Sequence, residues 1–363
     1  MLFKYMSFNN NNKRIVISNL ITSKLYFNTF LEYNDPFELY PVYDVQEDNM
    51  ARFKEDFYKK YPRNILSGVD NEYINSVFRF SSRQKVSNSR YGITCFTRKN
   101  DNLLMWAHYA DFHKGICLEF DIGENDDVNS FIDYRESGLY PIPMQGKFFA
   151  MDYVTENDRP HFYYGGSEEG KGYAPLYKKS KDWNYEEEIR LMVRTDELYK
   201  FPRTLVYFKD KLKSIICGCN MSLESFIELS DVAGRLKASL KASLLDEKIY
   251  KLEIVPISDE ESLRLNKNFK QLVENFTVIE KFTIYNKFIR CMSRRDFYKY
   301  WSMAIRRIPL YLCLTELKCL SQLDLKREMG HGPEIMDKNV CKLISLFVFY
   351  MSEEIEYLKH EAK

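Results

Sequence analysis

Glu186, Glu188 and Arg190 stand two residues apart in Lys181-Asp182-Trp183-Asn184-Tyr185-Glu186-Glu187-Glu188-Ile189-Arg190-Leu191-Met192-Val193. Side chains alternate between the faces of an extended strand, so this spacing predicts two carboxylates and a guanidinium on one surface. Glu187, Ile189, Leu191 and Val193 would take the other. Two readings stand side by side. In one, the polar face is a solvent-facing ladder in which Arg190 pairs with Glu188 at little energetic gain. In the other it is a polar cleft where a carboxylate meets developing positive charge. A second constellation groups His108, Tyr109, Asp111 and His113 beside Trp106. Core packing explains Trp106 alone. Titratable groups around an aromatic platform can also make a ligand site.

Other chemistries find less support. Cys217 and Cys219 are separated by one residue in Ile215-Ile216-Cys217-Gly218-Cys219, which reads as a buried strand running into a turn. Cys95, Cys117, Cys291, Cys313, Cys319 and Cys341 stand alone. No CxxC pair exists, so reduced thiols acting as small apolar residues are expected rather than a zinc site or a disulfide framework. There is no GxGxxG and no GxxxxGK[ST], which leaves a dinucleotide fold of the doubly wound kind and a P-loop unsupported.

The elements that must position these residues read as α+β: a mixed sheet core with flanking helices and a helical C-terminal module. Segments 13–28, 91–97, 115–121, 148–154, 187–194 and 249–257 are predicted to be extended, and 45–62 and 221–245 helical. Around Trp106 the order is strand, short helix, strand, with Asn100 or Asp101 as helix cap. Residues 155–173 hold Asn157-Asp158-Arg159-Pro160 and Gly165-Gly166-Ser167-Glu168-Glu169-Gly170, the composition of a surface loop or lid. Beyond residue 283 apolar residues recur at helical spacing. The chain is therefore divided into an α+β domain over 1–282 and a helical module over 283–363. Arg290, Arg294, Arg295, Lys299, Arg306 and Arg307 give that module either a solvated face or a basic face for a protein or nucleic-acid partner.

With 363 residues, 45% of them hydrophobic, the chain can bury a core. Its 53 basic and 52 acidic residues cancel almost completely, so no global field gathers nucleic acid or an anionic membrane. No run of eighteen apolar residues occurs and the first residues do not read as a signal peptide, so a cytoplasmic location without membrane contact is expected.

Lys4-Tyr5, Asn34-Asp35-Pro36-Phe37-Glu38, Cys95-Phe96-Thr97, Met105-Trp106-Ala107-His108-Tyr109-Ala110-Asp111 with Lys114-Gly115-Ile116-Cys117-Leu118-Glu119-Phe120, and Trp183-Asn184-Tyr185-Glu186-Glu187-Glu188-Ile189-Arg190 resemble, in order, the motifs of DUF2971, an uncharacterised bacterial family. The resemblance covers roughly residues 1–260 by the same segment reading. A further likeness, in order of elements only, is to ADP-ribosyltransferases, including toxins of that fold. It implies NAD as substrate and a transferase or glycohydrolase serving as toxin or antiphage effector. Glu188 would stabilise the oxocarbenium-like transition state, and Glu186 would position the acceptor. Tyr109 and His108 complete the implied catalytic set. Lys4, Tyr5, Asn34, Asp35, Trp106 and Arg190 form the NAD-binding set, with Trp106 or Tyr109 stacking on nicotinamide and Lys4 or Arg190 meeting the pyrophosphate. Lys4-Tyr5 stands where those enzymes use His or Arg. The alternatives are a ligand-sensing or interaction module and a metal-dependent nuclease using Glu186, Glu188, Asp35 and Asp111. Residues 34, 35, 106, 108, 109, 186, 188 and 190 are expected to line one pocket.

Overall fold

The computed structural model describes residues 1–28, 33–35, 37, 42–44, 47–60, 72–73, 76, 91–138, 144–163, 177–195, 203–246, 248–258 and 262. The predicted C-terminal helices lie outside them. In chain order the elements are β1 (Leu2–Met6), α1 (Lys13–Ile21), β2 (Lys24–Tyr26), β3 (Val42–Asp44), α2 (Glu47–Lys60), β4 (Tyr91–Thr97), α3 (Leu103–Tyr109), β5 (Ile116–Phe120) and β6 (Met144–Ala150). They continue with β7 (Asp152–Val154), β8 (His161–Tyr163), β9 (Lys178–Ser180), β10 (Glu188–Thr195), β11 (Thr204–Val206), β12 (Leu212–Cys217), α4 (Leu223–Leu236), β13 (Ser239–Leu245) and β14 (Leu252–Ile257). Strands and helices are both present and the strand pairing is mixed, as the α+β reading requires. Among the described residues, no helix is long and apolar enough to cross a membrane.

The chain forms two compact units, each assembled from three segments. One holds 1–4, 22–99 and 120–211; the other holds 5–21, 100–119 and 212 onward. In the first, β4 pairs antiparallel with β1 and β10, and β10 pairs antiparallel with β6. Alternation then sorts two faces. Phe96, Phe148, Ile189, Leu191 and Val193 occupy one, and Phe96 and Phe148 pack with Phe120, Phe131 and Tyr207 into an aromatic core. Ring pairs meet edge-on at 5.2–5.9 Å, a favoured aromatic geometry. The register places Thr97 opposite Glu188 and Cys95 opposite Arg190 on the second face. There Ile93 and Met192 pack with Tyr33, Cys95 and Phe149. Small two-stranded pairs, β2–β11, β3–β8 and β7–β9, complete this unit.

In the second unit β5, β12, β13 and β14 are successive neighbours. β12 and β13 run parallel and are joined through α4, which supplies the crossover that a parallel pair needs. Ser222 caps α4 by accepting from Ser225 N at 3.3 Å. The helix buries Leu223, Phe226, Leu229, Val232 and Ala233 along one stripe.

Three expectations about helices need correction. Residues 13–21 are helical rather than extended: Asn9 and Asn12 close a turn ahead of α1, and Val16 and Leu20, four apart, bury one face. The helix predicted over 221–245 ends at Leu236, where Lys237 takes a left-handed conformation, and 239–245 is a strand. The helix at 103–109 is capped by Asn102, whose Oδ1 accepts from Leu104 N and Met105 N at 2.9 and 3.2 Å, not by Asn100 or Asp101.

Candidate functional site

The predicted strand through Glu186 starts two residues late. Ser180 caps a 3₁₀ turn over Lys181–Glu186, Glu187 is left-handed with φ 42°, and extended backbone begins at Glu188. Glu186 is therefore not on the strand face that alternation assigned to it. It reaches Glu188 by another route, through Lys179 on β9. The Lys179 ammonium donates to Glu186 Oε2 at 2.5 Å and to Glu188 Oε2 at 3.2 Å. Arg190 forks onto the same carboxylate, Nε to Oε1 at 2.8 Å and Nη2 to Oε2 at 3.2 Å. Arg190 does pair with Glu188, yet the pair does not face solvent: the two residues are 1% and 4% exposed, with Glu186 at 3% and Lys179 at 8%.

Burial by itself would raise the Glu188 pKa. The neighbouring Arg190 and Lys179 charges, with the hydrogen bonds of Arg190 and the Cys95 thiol, override it and hold the carboxyl well below the usual carboxylate range. Burial pushes the Cys95 thiol far up, and the Glu188 charge adds to that, which keeps the sulfur protonated and a poor nucleophile. Tyr153 on β7 accepts the Glu188 backbone N–H on its hydroxyl at 2.8 Å. Aromatic rings flank both cations: the Arg190 guanidinium lies 5.4 Å from the Tyr33 centroid and the Lys179 ammonium 4.9 Å from that of Trp183.

The remaining predicted residues of this unit lie as follows. Lys4 donates to the Cys95 carbonyl at 3.1 Å and stands 5.7 Å from the Phe96 centroid. Burial lowers its pKa, and the Glu188 charge acts the other way. Asn34 is exposed. Asp35 accepts from Phe37 N at 2.8 Å and so shapes a turn. The contact to Arg190 is made by Tyr33, the residue just before that motif.

Trp106, His108, Tyr109 and Tyr5 belong to the other unit. Trp106 is fully buried, meets Tyr5 edge-on at 5.1 Å and donates Nε1–H to the Asn100 carbonyl at 2.8 Å. His108 is exposed and Tyr109 half-buried, their rings 6.3 Å apart. After α3 the chain makes an unusual turn: Asp111, Phe112 and His113 all take left-handed φ values of 50°, 54° and 65°. Each such non-glycine residue costs about 1–3 kcal/mol. The turn is clasped by Asn220, whose N–H donates to the His113 carbonyl at 3.0 Å, and by Gly218, whose N–H donates to the Gly115 carbonyl at 2.9 Å. A Cβ on Gly218 would stand 2.1 Å from the His113 carbonyl oxygen, so no side chain fits there. His113 stacks on Trp106 at 6.4 Å and 13°, with its Nδ1 buried and unpartnered.

Lys179, Tyr153, Tyr33 and Cys95 escaped the sequence reading as site residues. Lys179 had no signal beyond one lysine in a polar run, and Tyr153 none beyond an aromatic in a short strand. Among the described residues, no group of three His, Cys, Asp or Glu side chains suits a metal ion. Cys95, Cys117, Cys217 and Cys219 are free thiols.

Residues 105–191 match the family model described as a protein of unknown function, DUF2971. That span runs from within α3 through its left-handed turn to Leu191, and so takes in Lys179, Glu186, Glu188 and Arg190. The motifs at 4–5, 34–38 and 95–97 precede it. No curated protein and no solved structure matches the chain.

Proposed function

We propose that the Lys179–Glu186–Glu188–Arg190 cluster, which lies within the span 105–191 that matches the DUF2971 model, is a binding site for an anionic small molecule of the nucleotide class, NAD being the first candidate. One observation carries this reading: a guanidinium and an ammonium, both buried, are held in the interior on carboxylates between aromatic rings. Such networks seldom stabilise a fold more than well-packed apolar residues would. Clusters of this kind are enriched at functional sites. A phosphate can replace a carboxylate on the same guanidinium fork, and the rings offer faces for a base. Thermal shift and calorimetric titration with NAD, ADP-ribose, ATP and nicotinamide test this. Binding of a phosphate-bearing ligand should weaken in Arg190→Lys, which keeps the charge and loses the fork. Failure of every compound to bind the wild type overturns the reading.

A second reading, cleavage of the nicotinamide–ribose bond of NAD in a toxin or defence role, draws support from the ionised state of Glu188. A cation developing on the ribose calls for a fixed negative charge. Both Glu188 oxygens are already engaged, so this chemistry requires the carboxylate to exchange a contact with Lys179 or Arg190 for one with the ribose. Under this reading Glu188→Gln loses roughly two to three orders of magnitude in nicotinamide release while retaining binding. Equal turnover in the two proteins removes Glu188 from the mechanism.

A further inference from the structure

The cluster reads differently from the side of β9. The β7–β9 pair is parallel and sets Tyr153 opposite Lys179. Partners in register leave the same face of a ribbon. The Tyr153 hydroxyl takes the Glu188 backbone N–H, and the Lys179 ammonium takes the Glu188 carboxylate. The ribbon thus grips Glu188 at main chain and side chain together, and its lysine also holds Glu186. Glu186 Oε2 and Glu188 Oε2 lie no further apart than the sum of their two distances to one nitrogen, 2.5 and 3.2 Å.

We propose that Lys179 is the positioning residue of this site, the bridge that holds Glu186 and Glu188 side by side in the geometry a ligand meets. The proposal rests on the reading that the cluster is the ligand site. Without the bridge two buried carboxylates face each other, a situation in which one of them takes up a proton. The other charged and titratable groups around the pair, among the described residues, are Arg190 from β10, Cys95 from β4, Tyr153 from β7, Tyr185 from the 3₁₀ turn and Lys4 from β1. Arg190 secures Glu188 from the other side, and Lys179 links Glu186 to Glu188.

The test uses the full chain with ¹³C-labelled glutamate carboxyls, the Glu188 signal being assigned by its loss in Glu188→Gln. In Lys179→Met the Glu188 titration should move up by about one pH unit or more, the size expected for losing an adjacent opposite charge. Lys179→Arg should restore the wild-type titration. Should Lys179→Met not fold, Lys179→Gln, which keeps an N–H donor without the charge, carries the same measurement. Affinity for NAD or ADP-ribose should fall about tenfold or more in the neutral variants and recover in Lys179→Arg, in parallel with the titration. A neutral variant that titrates as the wild type does overturns the positioning role. A wild type that binds none of the probes overturns the ligand reading alone, because the titration uses no ligand.

Discussion

At Glu188 desolvation favours the neutral acid and two adjacent cations favour the carboxylate; the cations prevail, and the balance makes a pH dependence. The folded-state pKa lies below the unfolded value of about 4.3, so this group contributes stability above that pH. The contribution is lost as pH falls from there toward the folded pKa. Thermal unfolding of wild type and Glu188→Gln at a series of pH values should therefore show the difference between them shrinking below about pH 4.3. His113 has the opposite logic. Burial lowers its pKa, so the unfolded chain takes up the proton first and stability falls as pH drops below about 6.5. Asparagine tolerates a left-handed backbone and does not titrate. His113→Asn, which also loses the stack on Trp106, should lower the melting temperature near pH 8 and flatten its dependence on pH between 6.5 and the folded pKa. An unchanged slope would assign the pH dependence to other groups.

At the scale of elements, Gly218 is the tightest of the described glycines, and Gly218→Ala should destabilise the second unit more than an ordinary surface change. A Cβ at 2.1 Å from a backbone oxygen forces the clasp to open, so a loss of about 3 kcal/mol or more is expected in denaturant melts. Strands were the most legible elements. β4, β5 and β10 each combine β-branched or aromatic residues with turn formers on both sides, and they fall within a residue or two of their predicted ends. α1 was hidden because Lys13–Ile21 is rich in β-branched isoleucine and valine, and the deciding contacts of Val16 and Leu20 are tertiary. The candidate site was half legible. Spacing picked out Glu186, Glu188 and Arg190, which Lys179 and the Arg190 fork join into one cluster. It misassigned the backbone of Glu186, since a left-handed Glu187 carries no local signal. It could not find Lys179, which reaches Glu186 and Glu188 from β9, a strand paired with β7.

Across the whole molecule, neither unit is a continuous stretch of chain. Three segments build each, and the path passes between them after residues 4, 21, 99, 119 and 211. A fragment ending at Lys211 keeps β5 and loses β12, α4, β13 and β14, which leaves β5 without its neighbour within the second unit. Such a fragment should be insoluble or lack dispersed amide resonances; a well-folded 1–211 fragment would show that β5 does not need β12. The same interleaving bears on the left-handed turn at Asp111–His113. Its clasp joins Phe112 to Asn220 across a sequence separation of 108 residues. Closing a loop of that length costs about 4 kcal/mol of chain entropy before any contact repays it. During refolding the turn's local bonds, such as His113 N–H to the Trp106 carbonyl and Gly115 N–H to the Ala110 carbonyl, need only nearby chain, whereas the clasp waits for the distant Gly218–Asn220 strand exit and is the later event. A lesion there, such as Gly218→Ala, belongs after the rate-limiting barrier: it should speed unfolding and leave the refolding rate nearly as it was.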